Sequence, residues 1–226
     1  MRTSLQVLAV AAMAALLIQG CGEQSSSSPA TAPAAAEAEA VSSAKGAVND
    51  VRPDGLVTDW NVMVFTVTTV SDRNKSDEYY KETFDKDYLA SMGGEAKAVL
   101  VPGAKAAYKD GSGAAMTAEA EAMEANSLGW VASEWGDDLL GRKVAYGSCV
   151  LKSDADQAVT CYFGSDDECK VYVNGELAHE SYDSRACESR QDEFTVNLKK
   201  GLNPVMVKTS QRSQSWVFVL EVFPEE

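Results

Sequence analysis

The chain has 226 residues, 45% of them hydrophobic, and carries 34 acidic against 20 basic side chains, a formal charge of −14. So acidic a surface argues against nucleic acid and anionic lipid as partners, since both would be repelled. Behind its N-terminal segments the chain is long enough for one domain with a substantial core.

Residues 1–20 fall into physical zones. Arg2 gives a positive start, and Leu5 to Ile18 form an apolar run interrupted by Gln6. The run is too short for a transmembrane helix and suits the apolar region of a signal peptide. It ends Leu17-Ile18-Gln19-Gly20-Cys21, which resembles the lipobox of bacterial lipoproteins, although Gln19 is unusual at its place. The resemblance implies cleavage before Cys21 and lipid on its thiol, which would anchor the protein to a membrane. Gly22, where aspartate would retain many lipoproteins at the inner membrane, implies the outer membrane of a Gram-negative host. Residues 21–49 are rich in Ser, Ala, Pro and Glu and contain no aromatic residue. They bury too little surface to offset their ordering entropy and are predicted to form a disordered tether, spanning roughly 30 Å on average.

Residues 50–226 are expected to fold as one domain. Trp60 to Val70 is dense in β-branched and aromatic residues and predicts a strand. Tyr80, Phe84 and Tyr88 repeat every four residues and predict a short helix or helical turns within 75–90, ending at Gly93-Gly94. Ala96 to Val101 reads as a further strand. Residues 103–125, rich in Ala, Glu and Gly, leave helix and surface loop both open. From Val144 onward the pattern is β: 144–152, 157–164, 170–174, 194–198, 204–209 and 216–223 are strand-like runs between polar turns. Asn174-Gly175 is a tight-turn signal, because both residues tolerate positive φ. Short strands with helix confined to the front predict a mainly β fold, an antiparallel β-sandwich.

Outside Cys21 the cysteines are Cys149, Cys161, Cys169 and Cys187. An even count in an exported chain predicts two disulfides, and four cysteines allow three connectivities. Cys149–Cys161 is favoured because the two flank a turn at Ala155-Asp156, leaving Cys169–Cys187. Zinc is the rival, weakened by the lack of a Cys-x-x-Cys pair and by His179 being the sole histidine.

Several of these runs then resemble a known group. Gly164-Ser165-Asp166-Asp167 leading into Lys170-Val171-Tyr172-Val173-Asn174-Gly175, followed by Val196-x-Leu198-Lys199-Lys200-Gly201 and Trp216-x-Phe218-x-Leu220, is similar to the galactose-binding-like and PA14-type β-sandwich modules, of jelly-roll form. Related modules break after their first tryptophan, whereas Trp60 here leads on through Val62-Met63-Val64 to Phe65. In some PA14-type adhesins that resemble this region, paired aspartates hold calcium, which binds sugar hydroxyls. The resemblance therefore implies calcium at Asp166 and Asp167. The competing reading is that these carboxylates accept backbone N–H bonds and fix a turn. Trp135, beside Gly136-Asp137-Asp138, and Tyr182, in the polar loop before Cys187, are candidate rings for stacking on a sugar. Trp130 and Trp216 read as core.

No Gly-x-Ser-x-Gly, phosphate-cradling glycine loop or His-Glu-x-x-His is present. The expected function is a non-catalytic, lipid-anchored binding module of the cell envelope, with carbohydrate as ligand. The alternative is an envelope scaffold that contacts another protein and binds no sugar.

Overall fold

A computed structural model describes residues 47–69, 74–132, 141–212 and 216–225. The signal peptide, Cys21 and the tether as far as residue 46 lie outside the described residues, as do Trp135, Asp137 and Asp138. The strands are β1 (Val48–Asp50), β2 (Asp59–Thr66), β3 (Lys105–Lys109), β4 (Ala115–Glu124), β5 (Trp130–Ala132) and β6 (Lys143–Ser153), then β7 (Gln157–Asp166), β8 (Cys169–Val173), β9 (Glu176–Ser181), β10 (Asp192–Leu198), β11 (Gly201–Gln211) and β12 (Val217–Pro224). One helix, α1 (Asp77–Asp85), follows β2.

These strands form an antiparallel sandwich. The larger sheet runs β3-β4-β2-β6-β11-β8-β9, with β1 added in parallel against β6; the smaller runs β10-β7-β12-β5. β1 pairs Val48–Asp50 with Val150–Lys152, beyond the point where β2 stops pairing with β6. Ala47 and Asn49 are buried there, and Asn49 Oδ1 accepts from the N–H groups of Thr58 and Asp59. The expected boundary at residue 50 is therefore corrected: residues 47–49 belong to the domain, because they complete an otherwise unpaired edge of β6.

Alternation along the strands creates two cores. Trp60, Val62, Cys149, Val171, Val205 and Val207 point from the large sheet toward Cys161, Phe163, Trp216, Phe218 and Leu220 of the small one. The opposite face of the large sheet carries Met63, Phe65, Tyr146 and Met206, packed beneath Phe84, Tyr88, Leu89 and Leu100. β2 runs unbroken through Val62-Met63-Val64 because these residues alternately fill both cores.

α1 starts at Ser76, whose Oγ accepts from the Tyr79 N–H, with Asp77 and Glu78 in its first turn. A capping hydroxyl and acidic groups both suit a helix N-terminus. The helix is shorter than the spacing of aromatics suggests: Tyr88 lies beyond its end, still buried. A 3-10 turn at Ala90–Met92 closes on Gly93 at φ 98°.

Two segments differ from expectation. Ala96 to Val101 is not a strand; it crosses the sheet as turn and loop, and the Leu100 carbonyl accepts from Asn61 Nδ2 at 2.8 Å. Residues 105–124 are neither helix nor loop but the β3–β4 hairpin. Asp110 Oδ1 sets its turn by accepting from the N–H groups of Ser112 and Ala114. In β4, Ala118 and Ala120 face inward between exposed Glu119 and Glu121, a period of two written in helix-favouring residues.

The disulfide expectation is also corrected: Cys149, Cys161, Cys169 and Cys187 are all free thiols. The turn at 154–156 exists, but it is an arch that carries the chain from β6 in one sheet to β7 in the other. Cys149 and Cys161 thus stand on opposite walls of the core, with the sheets about 10 Å apart and disulfides needing Cα atoms within about 7 Å. Burial raises the thiol pKa of each, to about 12 for Cys161 and about 11 for Cys169.

The outer cover is pinned by charge. Lys208, fully buried on β11, donates to Glu95 Oε1 at 2.5 Å and to the Lys86 carbonyl at 3.0 Å. Tyr146 and Tyr172 donate to the two oxygens of Glu95 at 2.7 and 2.8 Å, and the ammonium lies over the rings of Phe84 and Tyr146. Replacing Glu95 by Gln leaves a buried ammonium unpaired, and a cost of about 3–5 kcal/mol is expected in urea unfolding. Burial, opposed by Glu95, lowers the pKa of Lys208 to about 8 from an ordinary 10.5. Between those values the folded chain holds fewer protons than the unfolded one, so this group's contribution to stability rises with pH. Wild type is therefore expected to gain on Lys208→Met from pH 8 to 10 and to keep a constant difference below pH 7, as read from unfolding midpoints.

Candidate functional site

Asp166, Asp167 and Glu168 carry the chain from β7 in the small sheet to β8 in the large one, against the end of β11. The Asp166–Asp167 peptide is cis. The Asp167 N–H donates to the Ser210 carbonyl, and the Ser210 N–H to the Glu168 carbonyl. Three consecutive acids at one crossing meet three different environments.

Glu168 is fully buried and neutralised. Its carboxylate receives Arg212 Nε at 2.8 Å and the Ser210 hydroxyl, with Arg142 Nη2 at 3.6 Å. The two arginines also clasp the ring of Tyr80 on α1, with guanidinium carbons 4.8 and 4.4 Å from its centroid. Asp167 is satisfied by neutral donors: Oδ1 accepts from Ser184 Oγ at 3.0 Å and the Arg185 N–H at 3.1 Å, and Oδ2 from the Arg212 N–H at 2.6 Å. These bonds tie loop 182–191 to the end of β11. Burial raises its pKa against the opposing pull of those bonds.

Asp166 differs from both. Half-buried, it has no cationic partner among the described residues. Burial first, then the charge of Asp167 and a hydrogen bond with it, then Glu168, push its pKa up to about 7. The residues fit a hard divalent cation in that Asp166 and Asp167 are adjacent carboxyls with no cationic side chain bonded to either among the described residues, while carbonyls or waters would have to complete the set of six to eight oxygens.

Tyr182 lies at the same end, but its ring is engaged. Its Oη is 2.6 Å from Asp85 Oδ1, Lys81 Nζ sits 3.4 Å from its ring centroid, and Phe84 meets it edge-on. Burial alone would raise the pKa of Asp85, but bonds from Lys170, Lys81 and Tyr182 hold it well below the usual range. Arg212 joins the two candidate positions: its N–H reaches Asp167 and its Nη2 the Tyr182 carbonyl. Of the tryptophans, Trp60 and Trp216 are buried and Trp130 is only half-buried.

Loop 182–191 lies tight on β7. A Cβ at Gly164 would fall 1.9 Å from the Glu188 carbonyl oxygen, which accounts for glycine there. Below the loop, Cys169, His179 and Asp192 bring potential metal-ligating atoms within 4.8 Å of one another. Arg185 Nη2 occupies their midst, 2.5 Å from Asp192 Oδ2, 2.9 Å from Ser165 Oγ and 3.5 Å from Cys169 Sγ. The guanidinium already supplies the positive charge that a zinc ion would bring. Arg185, Arg212, Ser184 and Glu168 were not singled out in the sequence; the adjacency of Glu168 to the aspartates was the one local signal.

No protein-family model matches the chain, and no curated protein sequence matches it. Solved structures do. The PA14 sugar-binding domain of an RTX adhesin shares 9% identity and a TM-score of 0.37, with 74% of this chain and 90% of that one covered. The A domain of epithelial adhesin 9 from Candida glabrata, in complex with Galβ1-4GlcNAc, gives 8% identity and a TM-score of 0.40 over 81% and 90%. A β-glucosidase from Kluyveromyces marxianus matches over 38% of this chain at 14% identity and a TM-score of 0.31, and the match spans 11% of that enzyme. Likenesses at 8–14% identity and TM-scores of 0.31–0.40 place no function on the chain.

The two aspartates are expected to separate in stability measurements. Asp167→Ala orphans buried donors, costing about 1–3 kcal/mol or more. Asp166→Asn should stabilise the calcium-free protein. Because the folded pKa of Asp166 lies above 3.8, its favourable contribution is present at low pH and is lost as pH rises toward 7. The gain of Asp166→Asn over wild type should therefore grow from pH 4 to pH 7; a pH-independent difference would refute this account.

Proposed function

We propose that this chain is a lipid-anchored, non-catalytic binding module of the cell envelope, and that its ligand is carbohydrate held at the Asp166–Asp167 end of the sandwich with calcium. The observation that carries the reading is Asp166, a half-buried carboxyl beside Asp167 and Glu168 with no cationic partner among the described residues. A charge left in that state is destabilising unless a cation accompanies it. Bound calcium would neutralise the pair and offer open coordination positions to sugar hydroxyls. The chain's own residues do the positioning. Asp167 fixes loop 182–191, Gly164 lets that loop close onto β7, and Arg212 holds both against α1. Anchoring rests on Leu17-Ile18-Gln19-Gly20-Cys21 and would keep the domain within a tether's reach of the membrane, the outer one where the host has two.

A glycan array probed with the full-length chain in a sugar-free detergent, with and without chelator, tests the ligand. Calcium-dependent binding that is lost in Asp166→Asn is the expected result. Absence of binding under both conditions would exclude carbohydrate, and binding indifferent to chelator and to Asp166→Asn would exclude calcium. Anchoring is tested separately: Cys21→Ser should abolish acyl incorporation and leave the precursor uncleaved, as read by mass spectrometry of the N-terminal peptide.

A further inference from the structure

The outward face of the small sheet carries a second arrangement suited to a ligand. Strand alternation turns Cys161 and Phe163 inward and Tyr162 outward, and the register sets Tyr162 between Glu193 on β10 and Glu221 on β12. One pair further along, Thr160 stands between Thr195 and Phe223. The rings of Tyr162 and Phe223 meet edge-on, 6.0 Å between centroids. Arg190, at φ 58°, arches over both, its guanidinium carbon 5.2 and 5.1 Å from the two centroids. Thr160, Tyr162, Arg190, Phe223, Pro224 and Glu225 line an open groove of about 470 Å³, within the size range of small-ligand sites.

The chemistry of this groove is mixed. Nε of Arg190 donates to Glu221 Oε2 at 2.9 Å, and among the described residues nothing accepts from its two terminal nitrogens. Those N–H groups are donors, Glu225 and Thr160 offer acceptors, and the parts of the two rings that Arg190 leaves uncovered add apolar surface. The arrangement is preformed, since the Phe223 ring is held between Gly55, where a Cβ would fall among the ring carbons, and the Arg190 guanidinium. Glu193, Glu221 and Glu225 outnumber the single arginine, which disfavours an acidic ligand. Arg190 already holds the cationic position over the rings, which disfavours a basic one. Hydroxyls that both donate and accept, on a ring with an apolar C–H face, match all three components.

We propose that this groove is a calcium-independent platform for a neutral sugar, distinct from the Asp166 end. The proposal rests on the carbohydrate reading above and adds to it a second site and the electrical character of its ligand. Titration of the full-length chain, in sugar-free detergent with chelator present, would use lactose, cellotetraose, maltotetraose and glucuronate as probes. At least one neutral oligosaccharide should bind, and glucuronate should not. Tyr162→Thr, which keeps a strand-favouring residue, and Arg190→Gly, which suits the positive φ, should each weaken that binding at least tenfold. Chelator-resistant binding that survives both groove variants overturns the platform. So does binding that vanishes entirely with chelator, although the calcium-dependent reading then stands. Absence of binding with and without calcium removes both.

Discussion

The large sheet has no solvent face at its centre, and the rest of the fold follows from that constraint. β6 is buried along nearly its whole length, and its alternate residues feed two separate cores. A sheet in that position needs a layer on each side. The small sheet supplies one. The other is assembled from α1, the 3-10 turn and the crossing segment through Leu100, which are too short to form a cooperative layer of their own. Buried charge holds them in place instead: Lys208 reaches up to Glu95 and the Lys86 carbonyl, and Arg142 bonds Thr83 and the Tyr80 carbonyl. Breaking one partner of such a pair is costly, so these contacts fix where the cover sits even where their net contribution to stability is small.

This division explains what could be read from the sequence. Val, Leu, Phe and Tyr at alternate positions announce β2, β6–β8 and β10–β12, because each side chain must fill a core regardless of its distant neighbours. Asn174-Gly175 likewise dictates its turn through local sterics alone, at φ 53° and 80°. β4 was hidden for the opposite reason. Its inward positions are Ala118 and Ala120, whose small size suits the tight space beneath Leu100 but whose intrinsic preference is helical. The cysteines misled because spacing about a turn does not distinguish a hairpin from an arch between sheets, and only the former brings its two arms side by side.

The candidate site shows the same limit in sharper form. Asp166 and Asp167 stood out as a pair, yet nothing in their spacing says which of them is used up by the fold. That depends on Arg212, 45 residues later, and on the loop at Ser184 and Arg185. Tyr182 was a reasonable choice for an exposed ring, but Lys81 and Asp85 claim it from a helix nearly a hundred residues earlier. Tyr162 was not singled out, although a tyrosine between Cys161 and Phe163 in a strand faces away from the core by periodicity alone.

The three acids at the sheet crossing show how one short run of like residues can meet three different environments. Glu168 meets two arginines and becomes part of the core. Asp167 meets neutral N–H and O–H donors, which favour its charged form against burial but bring no positive charge. Asp166 meets neither, and its neighbours' charges make ionisation harder still. Had Asp167 been paired with an arginine like Glu168, Asp166 would sit beside a neutral unit and its carboxyl would ionise more readily. Binding Asp167 through uncharged donors fixes the loops around the crossing without adding a positive charge there. The loops are thereby fixed by the protein's own groups, and of the three acids Asp166 alone has neither a cation nor an N–H group bonded to its carboxyl among the described residues.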